Sequence, residues 1–178
     1  MISEEPKNSS LHNVNYLGLN MIEPFRHSKR ADYAGLLSFI KTKFDYDFYY
    51  THDNSRIYVD DIHQLKHFVQ SSLHVYVAEI DNDYAGCILL WKSVGGGKNR
   101  YYIKIKATTE EVAKNLVTVL LWNVKQEVYA KIRKDNQFLT VLRTKGFKFL
   151  GGRGVQILLS YKPRKEKDHG PIDYSRDT

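Results

Sequence analysis

The sequence contains one cysteine, Cys87, set inside the apolar run Ala85 to Trp91. A single thiol excludes an internal disulfide and a multi-cysteine zinc centre, and this one reads as a small buried hydrophobe. No apolar stretch approaches the roughly 20 residues that a membrane span needs, so a membrane partner is not expected. Residues 1–15 are polar and carry Glu4 and Glu5, which is not the pattern of a signal peptide. There is no internal repeat and no long low-complexity segment. Gly95-Gly96-Gly97-Lys98 lacks the spacing of a P-loop, which excludes that route to nucleotide hydrolysis.

Apolar and aromatic side chains are plentiful. They make up 42% and 13% of 178 residues, enough to bury the core of one domain and too many for a disordered chain. The charge is unevenly spread. Residues 1–91 hold 8 Lys/Arg against 12 Asp/Glu, and residues 92–178 hold 19 against 8, so −4 and +11 sum to the net +7. Such asymmetry points to an acidic partner for the second half: protein, a phosphate-bearing cofactor or nucleic acid. Lys131, Arg133, Lys134, Arg143, Lys145 and Lys148 are its main carriers. No nucleic-acid motif accompanies them, which leaves such contacts open and unspecific.

Residues 1–16 read as an extended arm, 17–162 as the folded domain and 163–178 as a charged tail. Ser28 is the expected cap of a first helix with Ala31, Ala34, Leu36, Leu37 and Ile40 on one face. Phe44 to Tyr50 is ambiguous. Asp60 or Asp61 caps a second helix carrying Ile62, Leu65, Phe68 and Val69. His74 to Ile80 and Gly86 to Trp91 form a β-hairpin about Asp81-Asn82-Asp83, and Arg100 to Lys106 forms a third strand. Val112, Ala113, Leu116, Val117, Leu120, Leu121 and Val124 give the clearest helix, with Thr108 as cap and Glu111 closing a capping box. A strand over 128–132 follows, then a short helix capped by Asp135 and ended by Gly146. A closing hairpin turns at Gly151-Gly152. Glycines there, with Arg153, could also cradle a phosphate, but a turn explains them more simply. The strand–helix–strand crossover requires a parallel pair and the hairpins are antiparallel, so the expected fold is α/β (α+β) with a mixed sheet.

This order resembles the GNAT N-acetyltransferases. Met21 to Ile40 resembles the family's first strand and helix, and VYVAEIDNDYAGCILLW (Val75 to Trp91) its central hairpin. RKDNQFLTVLRTKGFKF (Arg133 to Phe149) is similar to its strand-end Asn, helix and Gly-Phe pair. The similarity spans about residues 20–162 and implies a mostly antiparallel central sheet with helices on both faces. It also implies that acetyl-CoA, where it binds, sits where the sheet splays open, with its pyrophosphate on main-chain N–H groups at the start of the central helix. Thr108, Thr109 and Asn136 are then the cofactor-side positions, and Glu79 is the candidate general base.

The sequence departs from the family pattern in two places. The glycine-containing loop before the central helix is replaced by ATTEEVAKN (Ala107 to Asn115), whose Glu110 and Glu111 would repel a pyrophosphate. The family's late-helix Tyr falls on Leu142 or Arg143, and neither is a proton donor at neutral pH. His63 and His67 are four apart on a helix, a metal-ligand spacing without an evident third ligand, so no metal is expected.

The expected function is accordingly a non-catalytic structural or interaction subunit of a larger assembly, without a cofactor, that docks on protein partners through its terminal arms. GNAT-like proteins also occur among bacteriophage virion components, with which the Lys-, Asn- and Tyr-rich composition is compatible; a cytoplasmic or virion location follows. The alternative is a divergent acetyl-CoA-dependent N-acetyltransferase.

Overall fold

A computed structural model describes residues 22–25, 32–42, 48–52, 55–95 and 98–163. The expected arm (1–16), the Ser28 cap and all but the first residue of the tail (163–178) lie outside the described residues. Nine strands and four helices are described. They run β1 (Ile22–Pro24), α1 (Tyr33–Lys41), β2 (Tyr49–His52), β3 (Ser55–Tyr58), α2 (Ile62–Ser71), β4 (Ser72–Ile80), β5 (Asp83–Gly95), β6 (Lys98–Ala107), α3 (Glu110–Trp122), β7 (Val128–Arg133), α4 (Leu139–Thr144), β8 (Lys148–Arg153) and β9 (Gln156–Tyr161).

Local chemistry accounts for the boundaries. Asp32 caps α1 by accepting from the Ala34 amide at 3.1 Å. Asp61 and Gln64 form a reciprocal capping box at the start of α2. Asp81 and Asn82, at φ 52° and 68°, make the tight β4–β5 turn, a backbone region that Asp and Asn tolerate better than most residues. Gly146, at φ 93°, ends α4: its amide bonds Arg143 O and that of Phe147 bonds Leu142 O, the paired closure of a Schellman motif.

A seven-stranded sheet runs β1-β4-β5-β6-β7-β9-β8, with β2 and β3 forming a separate hairpin. Among the described strands only β6 and β7 pair in parallel, across α3; the other neighbours are antiparallel. Period-two alternation divides the sheet's side chains between two cores. Tyr76, Ala78, Ile88 and Leu90 face α3 and α4, while Val75, Val77, Cys87 and Leu89 face α1 and α2. Cys87 is fully buried, as its apolar context implied. On β5, a Cβ at Gly86 would come within 2.7 Å of both Val112 and Leu116, so α3 packs against bare backbone there.

Two local expectations are corrected. The last hairpin turns at Gly154-Val155, with Gly154 at φ 60°, and Gly151-Gly152 lies within β8. Asp135 does not cap α4; both its oxygens are held by Arg133 at 2.9 Å. Of the ambiguous Phe44 to Tyr50 stretch, residues 44–47 lie outside the described residues, and Tyr49 and Tyr50 open β2, whose pairing with β3 was not anticipated.

Candidate functional site

The site is where β6 and β7 part. They pair over three rungs, Tyr101↔Val128, Tyr102↔Tyr129 and Ile103↔Ala130. Beyond Ile103 and Ala130 each strand continues, β6 to Ala107 and β7 to Arg133, with no rung between them. Each stays anchored on its outer side, β6 to β5 through Ala107 and β7 to β9 through Arg133. A wedge therefore opens toward the start of α3. The cleft is lined by Ile103, Lys104, Ile105, Ala130, Lys131, Ile132, Asn136 and Leu142, and is a narrow groove open to solvent rather than an enclosed cavity.

Asn136 is held at the rim by its own turn. Its Oδ1 accepts from the Phe138 amide at 2.8 Å, and its carbonyl accepts from Leu139 at 3.0 Å. This turn orders the entry to α4, whose first residues receive no other side-chain cap. Leu142, fully buried on α4, closes the cleft behind it, while Arg143 is exposed. The Arg133 guanidinium holds the exposed Asp135 carboxyl below the usual carboxylate range.

The start of α3 is satisfied largely from within. Thr109, not Thr108, is its cap: the Thr109 hydroxyl accepts from the Val112 amide at 3.3 Å and its carbonyl from Ala113 at 3.1 Å. Thr108 turns to β5 instead, donating to Ala85 O from its amide at 2.8 Å and its hydroxyl at 3.1 Å. Glu110 and Glu111 occupy the first turn, and Glu110 lies 3.4 Å from Lys114. Two carboxylates beside the helix's positive end offset it and disfavour a further anion.

Glu79 stands away from this cleft. It pairs with Tyr84 at the β4–β5 turn, and β5 separates it from β6. At about 4.8 Å per strand, that is roughly 10 Å sideways from β6. Its neighbour Tyr84 donates to Asp32 O at 3.1 Å. Burial first, then the Asp32 and Glu79 carboxylates, push the Tyr84 hydroxyl up to about 12.

Lys131, read in the sequence as part of a basic face, lines the cleft, and so does Lys104, which sequence reasoning did not single out. The signal was the alternation in RYYIKIK, which sets Tyr102, Lys104 and Lys106 on one side of β6. Lys104 is buried there, its Nζ 4.0 Å from the centre of the Tyr49 ring. His63 and His67 are exposed on α2, and among the described residues no three His, Cys, Asp or Glu are placed to hold a metal ion. Nor is any described helix long and apolar enough to cross a membrane.

No protein-family profile matches the sequence, and no curated protein matches it. Solved structures do match in fold. A GNAT-family acetyltransferase from Streptococcus pneumoniae superposes with a TM-score of 0.59 at 12% identity, over 79% of this chain and 97% of that one. The ribosomal-protein-alanine N-acetyltransferase from Brucella melitensis gives 0.58 at 15%, over 80% and 99%. The protein yncA from Salmonella typhimurium, solved with its cofactor acetyl-CoA, gives 0.60 at 14%, over 82% and 94%. With a mixed sheet parted between the parallel strands β6 and β7, and with these neighbours spanning most of its length, the chain has the GNAT N-acetyltransferase fold.

Proposed function

We propose that the chain is a divergent GNAT-type N-acyltransferase whose β6–β7 cleft receives the pantetheine arm of an acyl-CoA. The parting of β6 from β7 beyond Ile103 and Ala130 carries this reading. A pantetheine arm is extended and bears two amides, so it can lie between two strands as a short extra strand would. The residues at hand suit that arm: Ile103, Ile105, Ala130 and Ile132 offer apolar walls, and Asn136 a polar rim. They suit the diphosphate less, because Thr109 engages the third amide of α3 and Glu110 and Glu111 fill its first turn.

Acetyl-CoA would supply a thioester carbonyl at the inner end of the cleft. An amine nitrogen bonds to that carbon, the C–S bond breaks, and the sulfur leaves as thiolate while the nitrogen loses a proton. Main-chain N–H groups along β6 would polarise the carbonyl. The proposal assigns proton removal to solvent rather than to Glu79, which β5 separates from β6, and the amine arrives neutral. Thr109 serves the start of α3 and Thr108 ties it to β5, and neither is assigned to the acyl donor.

The test is thiol release from acetyl-CoA and from S-acetylpantetheine in the presence of a panel of amines. The proposal expects amine-dependent release from both, with kcat/KM within about tenfold, or ~1.4 kcal/mol. Absence of amine-dependent release from either donor contradicts it.

A second reading keeps the fold as a non-catalytic subunit of a larger assembly, a bacteriophage virion among them. Its support is the acidic first turn of α3, together with Leu142 and Arg143 where a proton-donating Tyr would stand. It expects neither donor to bind.

A further inference from the structure

Among the described residues, the sheet ends at β8, which pairs with β9 on one side and with no strand on the other. An exposed strand edge offers a row of main-chain donors and acceptors to any extended chain that reaches it. Apolar side chains crowd this one. Of the six large hydrophobic residues that stand exposed among the described residues, Phe149, Leu150 and Val155 lie on β8 or its turn, at 65%, 54% and 61% exposure. A β-bulge at Leu150 swings that side chain out of the regular alternation, and a Cβ built on Gly151 meets no atom within 4 Å.

Charge selects the partner. From Asn136 to Pro163 there is no Asp or Glu, while Arg143, Lys145, Lys148, Arg153 and Lys162 are all cationic. Lys148 and Arg153 stand at the two ends of β8, both exposed. We infer that the β8 edge is a docking site for an extended acidic peptide segment of a protein partner, one that alternates carboxylates with apolar side chains. The partner strand would pair with β8, cover Phe149 and Leu150, and set its carboxylates near Lys148 and Arg153.

Two other occupants fit less well. A second copy pairing antiparallel through β8 would place Lys148 opposite the partner's Arg153, a like-charge contact that destabilises a cross-strand pair. A nucleic acid would use the cations but presents no regular ladder of donors and acceptors at strand spacing, and it gains little from the aliphatic Leu150 and Val155.

The test is an amide NMR titration of the full chain with a synthetic peptide of about eight residues that alternates Glu and Val, long enough to span β8. A Lys-Val peptide and a single-stranded oligonucleotide serve as comparisons. The inference expects saturable shifts centred on Lys148 to Arg153, with new exchange protection at alternate β8 amides. It expects binding at least about tenfold weaker for the Lys-Val peptide and for the Lys148→Glu/Arg153→Glu chain. Phe149→Ser/Leu150→Ser, at exposed positions that leave the fold intact, should also weaken it. Any of three results overturns the inference: no saturation by about 1 mM, tighter binding of the oligonucleotide on β8, or outer-edge β8 amides already protected before peptide is added.

Discussion

The buried ammonium of Lys106 donates to the carbonyl of Ile40 at 2.6 Å, and it donates to the carbonyl of Thr42 as well. A β6 side chain thereby closes the C-terminal end of α1, where carbonyls lack partners within the helix. Lys106→Met keeps the length of the side chain and removes the donor. We expect a loss of about 1–3 kcal/mol in urea unfolding, the cost of leaving buried acceptors unmet. Unchanged stability would mean that the ammonium contributes nothing net.

Tyr84 makes a pH-dependent contribution of known sign. Its folded hydroxyl titrates near 12 against 10.0 for the ordinary group, raised by burial and then by Asp32 and Glu79. The native state therefore holds this proton through a window in which the unfolded chain releases it. The associated stability is complete below pH 10 and is lost as pH rises toward 12. Unfolding midpoints should fall across that window, and Tyr84→Phe should flatten the fall.

Thr108 and Thr109 are adjacent but hold different structures together. Thr109→Ala removes the cap of α3 and should cost about 1 kcal/mol, a value typical of cap removal. Thr108→Ala leaves the amide bond to Ala85 O in place and removes only the longer hydroxyl contact. Thermal or chemical denaturation of the two variants should rank Thr109→Ala as the less stable. The reverse order would restore Thr108 as the cap.

Much of the fold was legible because its signals are local. The stripe from Val112 to Val124 defines α3, and β-branched residues on either side of Asp81-Asn82-Asp83 define the β4–β5 hairpin. What escaped depended on distant partners. The Thr108 to Glu111 spacing imitates a capping box, but Ala85 O, 23 residues away, takes both Thr108 donors. Asp135 has the chemistry of a cap and is engaged by Arg133 instead. β2 and β3 are four residues each, too short for alternation to register. The cleft has no motif of its own, since the parting of β6 and β7 becomes visible only once their rungs are known. Asn136 was found through its resemblance to a family position and does line the cleft. Glu79 was placed on the right strand, yet its sideways distance depends on strand order.

The acidic first turn of α3 should act against phosphate. Glu110→Gln/Glu111→Gln removes two negative charges beside the helix start and, on the proposed reading, should strengthen CoA binding several-fold while leaving pantetheine binding unchanged. Calorimetry with both ligands checks this. Equal gains for both would place the effect elsewhere than at the diphosphate.

The most direct test of the proposed cleft is an amide NMR titration of the full chain with acetyl-CoA. The account predicts saturable shifts at Lys104 to Lys106, Lys131 to Arg133 and Asn136, the two parted strands and the rim. No saturable shift by about 1 mM, or shifts confined to residues outside the cleft, would contradict it and leave the non-catalytic reading.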